Sequence, residues 1–115
     1  MPYVSVRTSK SLTPQDIESL KAALGAKMPL IPGKTESRLM VDIAEGQHLY
    51  HGGEARDLAF VEVRCFGPTP LEAKKAYATA VFEALDKIIG VKPENVYYNH
   101  VDSDTWCSGG AFRTY

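Results

Sequence analysis

Two segments of this chain repeat each other, and the repeat restricts the possible folds more than any other feature. Val4-Ser5-Val6-Arg7 is followed by Thr13-Pro14, and Val61-Glu62-Val63-Arg64, 57 residues later, is followed by Thr69-Pro70. In each half an alternating strand precedes a Thr-Pro pair, which is typical of a helix start. The sequence therefore predicts two β-α-β units, residues 2–44 and 58–101, within one domain spanning residues 1–115.

The turn and helix signals give approximate element bounds. Strands are predicted over residues 2–8, 38–44, 58–66 and 96–101, with a short edge strand near His51-Gly52-Gly53. One helix follows Thr13, and the other follows a capping box in which Thr69 and Glu72 bond the first turn. The second helix should end near Gly90. The expected fold class is α+β, a four-stranded mixed sheet with two helices on one face.

The repeat also locates Pro2. A shift of 57 residues places Pro2 on Ala59, inside an apolar run. Pro2 is therefore expected at the head of a packed strand, with its ring nitrogen held in a pocket.

Composition excludes several classes of function. The formal net charge is −1 and no dense Lys/Arg stripe occurs, which argues against nucleic-acid binding. No apolar stretch is long enough to span a membrane, and the N-terminus lacks the features of a signal peptide, so a cytoplasmic location is expected. Metal-ligand spacing is absent from the two cysteines and three histidines. His48, His51 and His100 are interpreted as surface or turn residues, and the repeat-related Arg7 and Arg64 as structural.

The strands also predict an oligomer. Strands containing Phe60-Val61 and Met40-Val41 carry apolar side chains on both faces, whereas two helices cover only one. A cyclic homo-oligomer would cover the other face, and the aromatic tail after residue 103 could add a strand to a neighbour.

Together, the proline after Met1, the duplication and the two-faced strands resemble the tautomerase superfamily, and in detail the macrophage migration inhibitory factor family. Gly33-Lys34 falls at the family's turn before the second strand, and residues 49–67 align without gaps through Gly52-Gly53. Further matches are Val96-Tyr97-Tyr98-Asn99 followed by Asp102, and the C-terminal aromatics Trp106 and Phe112.

The resemblance implies a homotrimer whose three sheets enclose a barrel, with an active site at each subunit interface and no cofactor or metal. Pro2 would be the catalytic base once Met1 is removed. Lys34 and the backbone N–H of Phe66 would hold a substrate carboxylate or carbonyl. Tyr97 and Asn99 would reach in from the neighbouring subunit. Trp106, Phe112 and Arg38 would complete the substrate-binding residues.

The chain departs from the family pattern at several positions. Leu58 and Val61 stand where the family's CxxC cysteines would, which argues against a thiol redox role. Arg38 replaces a tyrosine and Phe66 an isoleucine, which favours a more anionic substrate.

The residues also fit the chemistry of proton transfer. A general base works best with a pKa near the working pH, and a free α-amine has a pKa of roughly 7.7–8.0. An apolar pocket beside the cations Lys34 and Arg38 would lower that pKa further, because both burial and like charge disfavour the ammonium. If Met1 were retained, the Pro2 nitrogen would be an amide with no basic lone pair.

The leading hypothesis is a keto–enol tautomerase of phenylpyruvate-type α-keto acids. One alternative is a cytokine-like protein-binding module with a vestigial pocket, a protein receptor as partner and leaderless secretion. Another is an isomerase of muconate-like dicarboxylates, which Arg38 beside Lys34 favours.

Overall fold

The computed structural model describes all 115 residues, Met1 to Tyr115. The main sheet has four strands: β1 (Pro2–Thr8), β2 (Met40–Ala44), β5 (Ala59–Phe66) and β6 (Val96–Ser103). Their order across the sheet is β2-β1-β5-β6. Strand β1 pairs in parallel with β2 and antiparallel with β5, and β5 pairs in parallel with β6.

The duplication seen in the sequence is also present in the sheet. The first strands of the two units, β1 and β5, run antiparallel at its centre, with Val4 opposite Val63 and Val6 opposite Val61. Each then pairs with the second strand of its own unit. Pro2 and Ala59, the two repeat-related residues, each begin a strand, which confirms the expected position of Pro2 at a strand head.

Two helices cover one face of the sheet, as expected. Helix α1 (Pro14–Ala26) begins after Thr13, whose side chain and that of Asp16 form a reciprocal capping box. Helix α2 (Leu71–Ala84) continues through a π-helical turn over Leu85–Ile89 and ends at Gly90, where a φ of 68° requires a residue without a Cβ. The α+β fold class, a mixed four-stranded sheet with two helices, is confirmed.

The core lies between the helices and the sheet. The Tyr77 hydroxyl donates to the carbonyl oxygen of Leu24 at 2.9 Å and so joins the two helices. The central residues of this core are 0–1% exposed: Val4, Val6, Leu20, Leu24, Val61, Val63, Tyr77, Val81 and Leu85. The opposite face of the sheet leaves Met40, Phe60 and Tyr97 exposed, so apolar side chains do occur on both faces.

Three element predictions are wrong in detail. Thr69 does not cap α2, because its N–H and hydroxyl both bond to Asp102 on β6. The second strand begins at Met40, not residue 38, because Glu36–Arg38 form a 3₁₀ turn. The edge strand is instead one arm of a separate hairpin, β3 (Tyr50–His51) with β4 (Glu54–Ala55).

The C-terminal tail forms a second hairpin. Strand β7 (Thr105–Ser108) pairs antiparallel with β8 (Ala111–Thr114). Phe112 on this hairpin is 70% exposed. No helix is both long and apolar enough to cross a membrane.

Candidate active site

An open cleft lies at the edge of the sheet where β1 begins and β5 and β6 end. The strand register causes this convergence, because Pro2 lies opposite Cys65 and Cys65 lies beside Asp102. The cleft has a volume of about 1020 Å³. Residues from four regions of the chain line it, among them Met1, Pro2, Arg38, Arg64 and Trp106.

Met1 occupies the inner end of this cleft. The backbone N–H of Phe66 donates to the Met1 carbonyl oxygen at 3.2 Å. The Ser108 hydroxyl lies 3.1 Å from the Met1 sulfur. The Met1 carbonyl thus fills a position that a ligand carbonyl or carboxylate oxygen could take, and Pro2 is buried directly behind it.

Lys34 reaches the same place from the loop after α1. Gly33, with a φ of 77°, turns the chain, and the Lys34 N–H closes the turn on the carbonyl of Ile31 at 3.1 Å. The Lys34 ammonium donates to the Phe66 carbonyl oxygen at 2.8 Å. The same ammonium hydrogen-bonds the Met1 α-amine, so removal of Met1 would leave two of its three N–H donors for a ligand.

The electrostatics of the cleft disfavour a positive charge at the chain start. The pKa of the Met1 α-amine is held below its ordinary value of 8.0, first by burial and then by the charge of Lys34. Arg38 contributes a smaller lowering. A larger fraction of an amine in this environment is neutral at neutral pH, and so is able to accept a proton.

A partly buried hydrogen-bond network supports the end of β6 beside the cleft. Asp102 accepts from Thr69 (N–H at 3.0 Å, hydroxyl at 2.7 Å), from His100 at 2.9 Å and from Lys74 at 3.2 Å. Burial acts to raise the pKa of Asp102, but the bonds from Thr69, His100 and Lys74 outweigh it and lower the pKa to about 2. Burial lowers the pKa of His100, whose side chain is 4% exposed. The interpretation of His100 as a surface residue is therefore wrong.

Tyr97 and Asn99 lie on β6 outside the lining of the cleft. Tyr97 pairs with Phe60 and lies four positions, roughly 13 Å of extended chain, before Val101 at the cleft, whereas Asn99 lies two positions before it. Both side chains are exposed. A single chain therefore brings Pro2, Lys34, Phe66, Arg38 and Trp106 to one region, but not Tyr97 or Asn99.

The comparisons identify the family. The family model described as Macrophage migration inhibitory factor (MIF) matches residues 1–112. The chain belongs to the MIF family. Comparison with curated protein sequences gave no match.

Solved structures share the fold of this MIF-family chain. Leishmania major MIF2 superimposes with a TM-score of 0.90 at 23% identity, over 97% of each chain. The MIF-like protein of Entamoeba histolytica gives 0.82 at 15% identity, over 96% of this chain and 97% of that one. Pt0534, solved after inactivation by 2-oxo-3-pentynoate, gives 0.84 at 16% identity, over 94% of this chain and 93% of that one.

Two features of this MIF-family site were not expected from the sequence. Arg64 lines the cleft, although its place in the repeat suggested a structural role, and its guanidinium donates to Glu62 at 2.9 Å. The register between β1 and β5 places it there, because Arg64 pairs with Tyr3, next to Pro2. Phe112 does not line the cleft and is exposed, although it pairs across the hairpin with Cys107, which does line it.

No group of three or more His, Cys, Asp or Glu side chains is arranged to hold a metal ion. The chemistry of the cleft is that of an amine, an ammonium, two guanidinium groups and backbone N–H donors.

Proposed function

We propose that this MIF-family chain, after removal of Met1, is a cofactor-free tautomerase of phenylpyruvate-type α-keto acids with Pro2 as general base. The observation that carries the proposal is the bond from the Phe66 N–H to the Met1 carbonyl, next to the Lys34 ammonium. Removal of Met1 would expose the Pro2 nitrogen and free the Phe66 N–H in one step. A substrate oxygen could then take the place of the Met1 carbonyl.

The proton transfer balances without any other reagent. The neutral Pro2 amine removes a proton from the carbon next to the keto group, and that C–H electron pair forms the enol double bond. The carbonyl oxygen gains the negative charge and then takes that proton back from the Pro2 ammonium, which gives the enol and returns Pro2 to its neutral form. Lys34 and the Phe66 N–H would hold the carboxylate or carbonyl through charge-assisted bonds. The ring of Pro2 fixes the direction of the lone pair.

The proposed enzyme is a homotrimer. A neighbouring subunit would supply Tyr97 and Asn99, which are exposed and do not line their own cleft. Phe112 would also meet a neighbour, since it is 70% exposed and does not line its own cleft. Trp106 would form an apolar wall for an aromatic substrate.

A second candidate substrate class is favoured by one observation. Two guanidinium groups, those of Arg38 and Arg64, line the cleft in addition to the nearby Lys34 ammonium. A second carboxylate on the substrate would suit this excess of positive charge, because arginine binds carboxylates in a bidentate manner. A muconate-like dicarboxylate is therefore the alternative substrate.

The test compares two forms of the protein. The first has a mass that confirms Pro2 as its terminus, and the second keeps an N-terminal extension on Pro2. Ketonisation of enol-phenylpyruvate and of a dicarboxylic enol is followed by ultraviolet absorbance. The free-Pro2 form should be active and the extended form inactive. Equal activity in the two forms would show that another group is the base.

A covalent probe adds a second readout. Pt0534 is inactivated by 2-oxo-3-pentynoate. The same compound should inactivate the free-Pro2 protein, with the added mass on the N-terminal peptide. Labelling of Cys107 at the cleft rim without labelling of Pro2 would contradict the assignment.

A further inference from the structure

A polar array outside the cleft connects Arg56, His51 and Tyr97. The Arg56 guanidinium lies 2.7 Å from Nδ1 of His51, and Nε2 of His51 lies 2.8 Å from the Tyr97 hydroxyl oxygen. The rings of His51 and Tyr97 meet edge to face, with centroids 5.3 Å apart and planes at 87°. Phe60 packs against the other side of the contact, 6.4 Å from the Tyr97 centroid.

The backbone explains why His51 reaches Tyr97. His51 is the last residue of β3, and the Gly52-Gly53 turn, with φ values of 60° and 79°, folds the hairpin back. The same hairpin ends near Arg56, which returns to the imidazole from its other side. The array thus joins residues of one short hairpin to the exposed face of β6.

The hydrogen-bond partners determine the tautomer of His51. An arginine side chain can only donate, so Nδ1 of His51 must accept and carries no proton. The neutral imidazole then has its proton on Nε2 and donates it to the Tyr97 oxygen. Since the phenol oxygen accepts from His51, its own O–H is left to donate to another group.

We propose that His51, held in the Nε2–H tautomer by Arg56, is a positioning residue that orients the Tyr97 hydroxyl as a hydrogen-bond donor to the substrate in the neighbouring subunit's cleft. This inference rests on the proposed function, in which Tyr97 serves that cleft. The acceptor is the carbonyl oxygen of the keto acid, where negative charge develops as Pro2 removes the proton. Without His51, the Tyr97 hydroxyl can rotate and its ring loses one edge contact.

The kinetic test uses His51→Phe, which keeps an aromatic ring and removes the donor, and His51→Gln, whose amide N–H can reach the same oxygen. His51→Phe should lower kcat roughly three- to tenfold, the size expected for one neutral hydrogen bond, with KM nearly unchanged. His51→Gln should recover most of that loss. His48→Phe is the matched control, because His48 is an exposed histidine of the same loop and lies in neither array nor cleft; it should leave kcat unchanged.

A double-mutant cycle separates positioning from general damage. Tyr97→Phe removes the hydroxyl that His51 orients, so adding His51→Phe to it should cause no further loss of kcat. An equal loss in both backgrounds would overturn the proposal, because His51 would then act independently of the Tyr97 hydroxyl.

A readout independent of activity uses nitrogen NMR of the imidazoles in alkaline buffer, with the His51 signals assigned by their loss in His51→Gln. Nε2 should carry the proton, and Arg56→Met should introduce the Nδ1–H tautomer. A wild-type Nδ1–H tautomer would overturn the array. If the free-Pro2 protein is inactive, the proposed function fails, whereas the tautomer measurement still decides the array. If the free-Pro2 protein is active and His51→Phe leaves kcat unchanged, only the positioning role of His51 fails.

Discussion

The backbone N–H of Phe66 donates a hydrogen bond to the carbonyl oxygen of Met1 at 3.2 Å, so this N–H is not free to bind a ligand while Met1 is present. Pro2, the next residue, is buried behind it and begins strand β1. Removal of one residue would therefore change two properties together, the basicity of the Pro2 nitrogen and the availability of the Phe66 N–H.

The pH dependence of kcat/KM should report the Pro2 amine. Burial and the charge of Lys34 lower the pKa of the Met1 α-amine, and we expect the same direction for the Pro2 amine, one residue further along the chain. The neutral amine is the active form, so kcat/KM should rise with pH through a pKa below 8.0 and be lost under more acidic conditions. Lys34→Met should move that pKa upwards, because it removes a like charge. Arg38→Met should move it upwards by less. A profile that is unchanged in both variants would contradict the assignment.

Lys34 should also contribute to substrate binding. Its ammonium is held by the Phe66 carbonyl, and loss of a charge-assisted bond to the substrate costs about 1.5–3 kcal/mol. Lys34→Met should therefore raise KM for a keto acid roughly tenfold or more, measured above the pKa of the amine. Lys21→Met removes an exposed lysine of α1 that pairs only with Glu18, and it should leave KM unchanged. An unaltered KM in the Lys34 variant would show that Lys34 does not contribute to substrate binding.

Asp102 should stabilise the fold in a pH-dependent manner. Its pKa falls from an ordinary 3.8 to about 2 in the folded state, although burial opposes the fall. Because the folded pKa is the lower one, the stabilisation is fully present above the unfolded pKa and is lost as pH falls through about 2. Asp102→Asn should lower the free energy of unfolding by about 1–2 kcal/mol at neutral pH, after allowance for solvent screening.

Urea titrations at several pH values would measure this difference, which should shrink in acid. Asp104→Asn is the control, since the Asp104 side chain is exposed two residues away. An equal effect of both substitutions would show that the Thr69, His100 and Lys74 bonds add nothing specific.

The sequence predicted the parts of this fold that depend on local patterns. The repeat predicted both β-α-β units, and Thr13-Pro14 predicted the start of α1 correctly because its capping bonds go to Asp16, three residues on. Thr69-Pro70 carries the same pattern, but Asp102, 33 residues away, takes both Thr69 donors. A local sequence pattern cannot show that a distant carboxylate takes the hydrogen bonds that would otherwise cap the helix.

The same distinction applies to the candidate site. Pro2 and Lys34 were found because a repeat and a family resemblance placed them, whereas Arg64 required the register between β1 and β5. The contact of His51 with Tyr97 joins residues 46 positions apart through the fold of a hairpin, which sequence spacing cannot show.

Complementation between subunits should test the shared active site. In a homotrimer with interfacial sites, each site would take Pro2 from one chain and Tyr97 from its neighbour. An N-terminal extension removes the first of these groups, and Tyr97→Phe removes the second. Mixed trimers formed by refolding the two together should contain sites with an intact Pro2 from one chain and an intact Tyr97 from the other. Activity should therefore exceed the average of the two separate preparations.

Light scattering supplies an independent check on this assembly. At micromolar concentration the measured mass should be that of three copies of the 12.6 kDa chain. Wild-type chains refolded with the blocked variant give the control for dilution of active sites. Because Tyr97 lies roughly 13 Å along β6 from Val101 of its own cleft, a stable monomer that is fully active would remove Tyr97 and Asn99 from the site. A trimer whose mixed preparations never exceed the average would place each site within one subunit and remove the two residues in the same way.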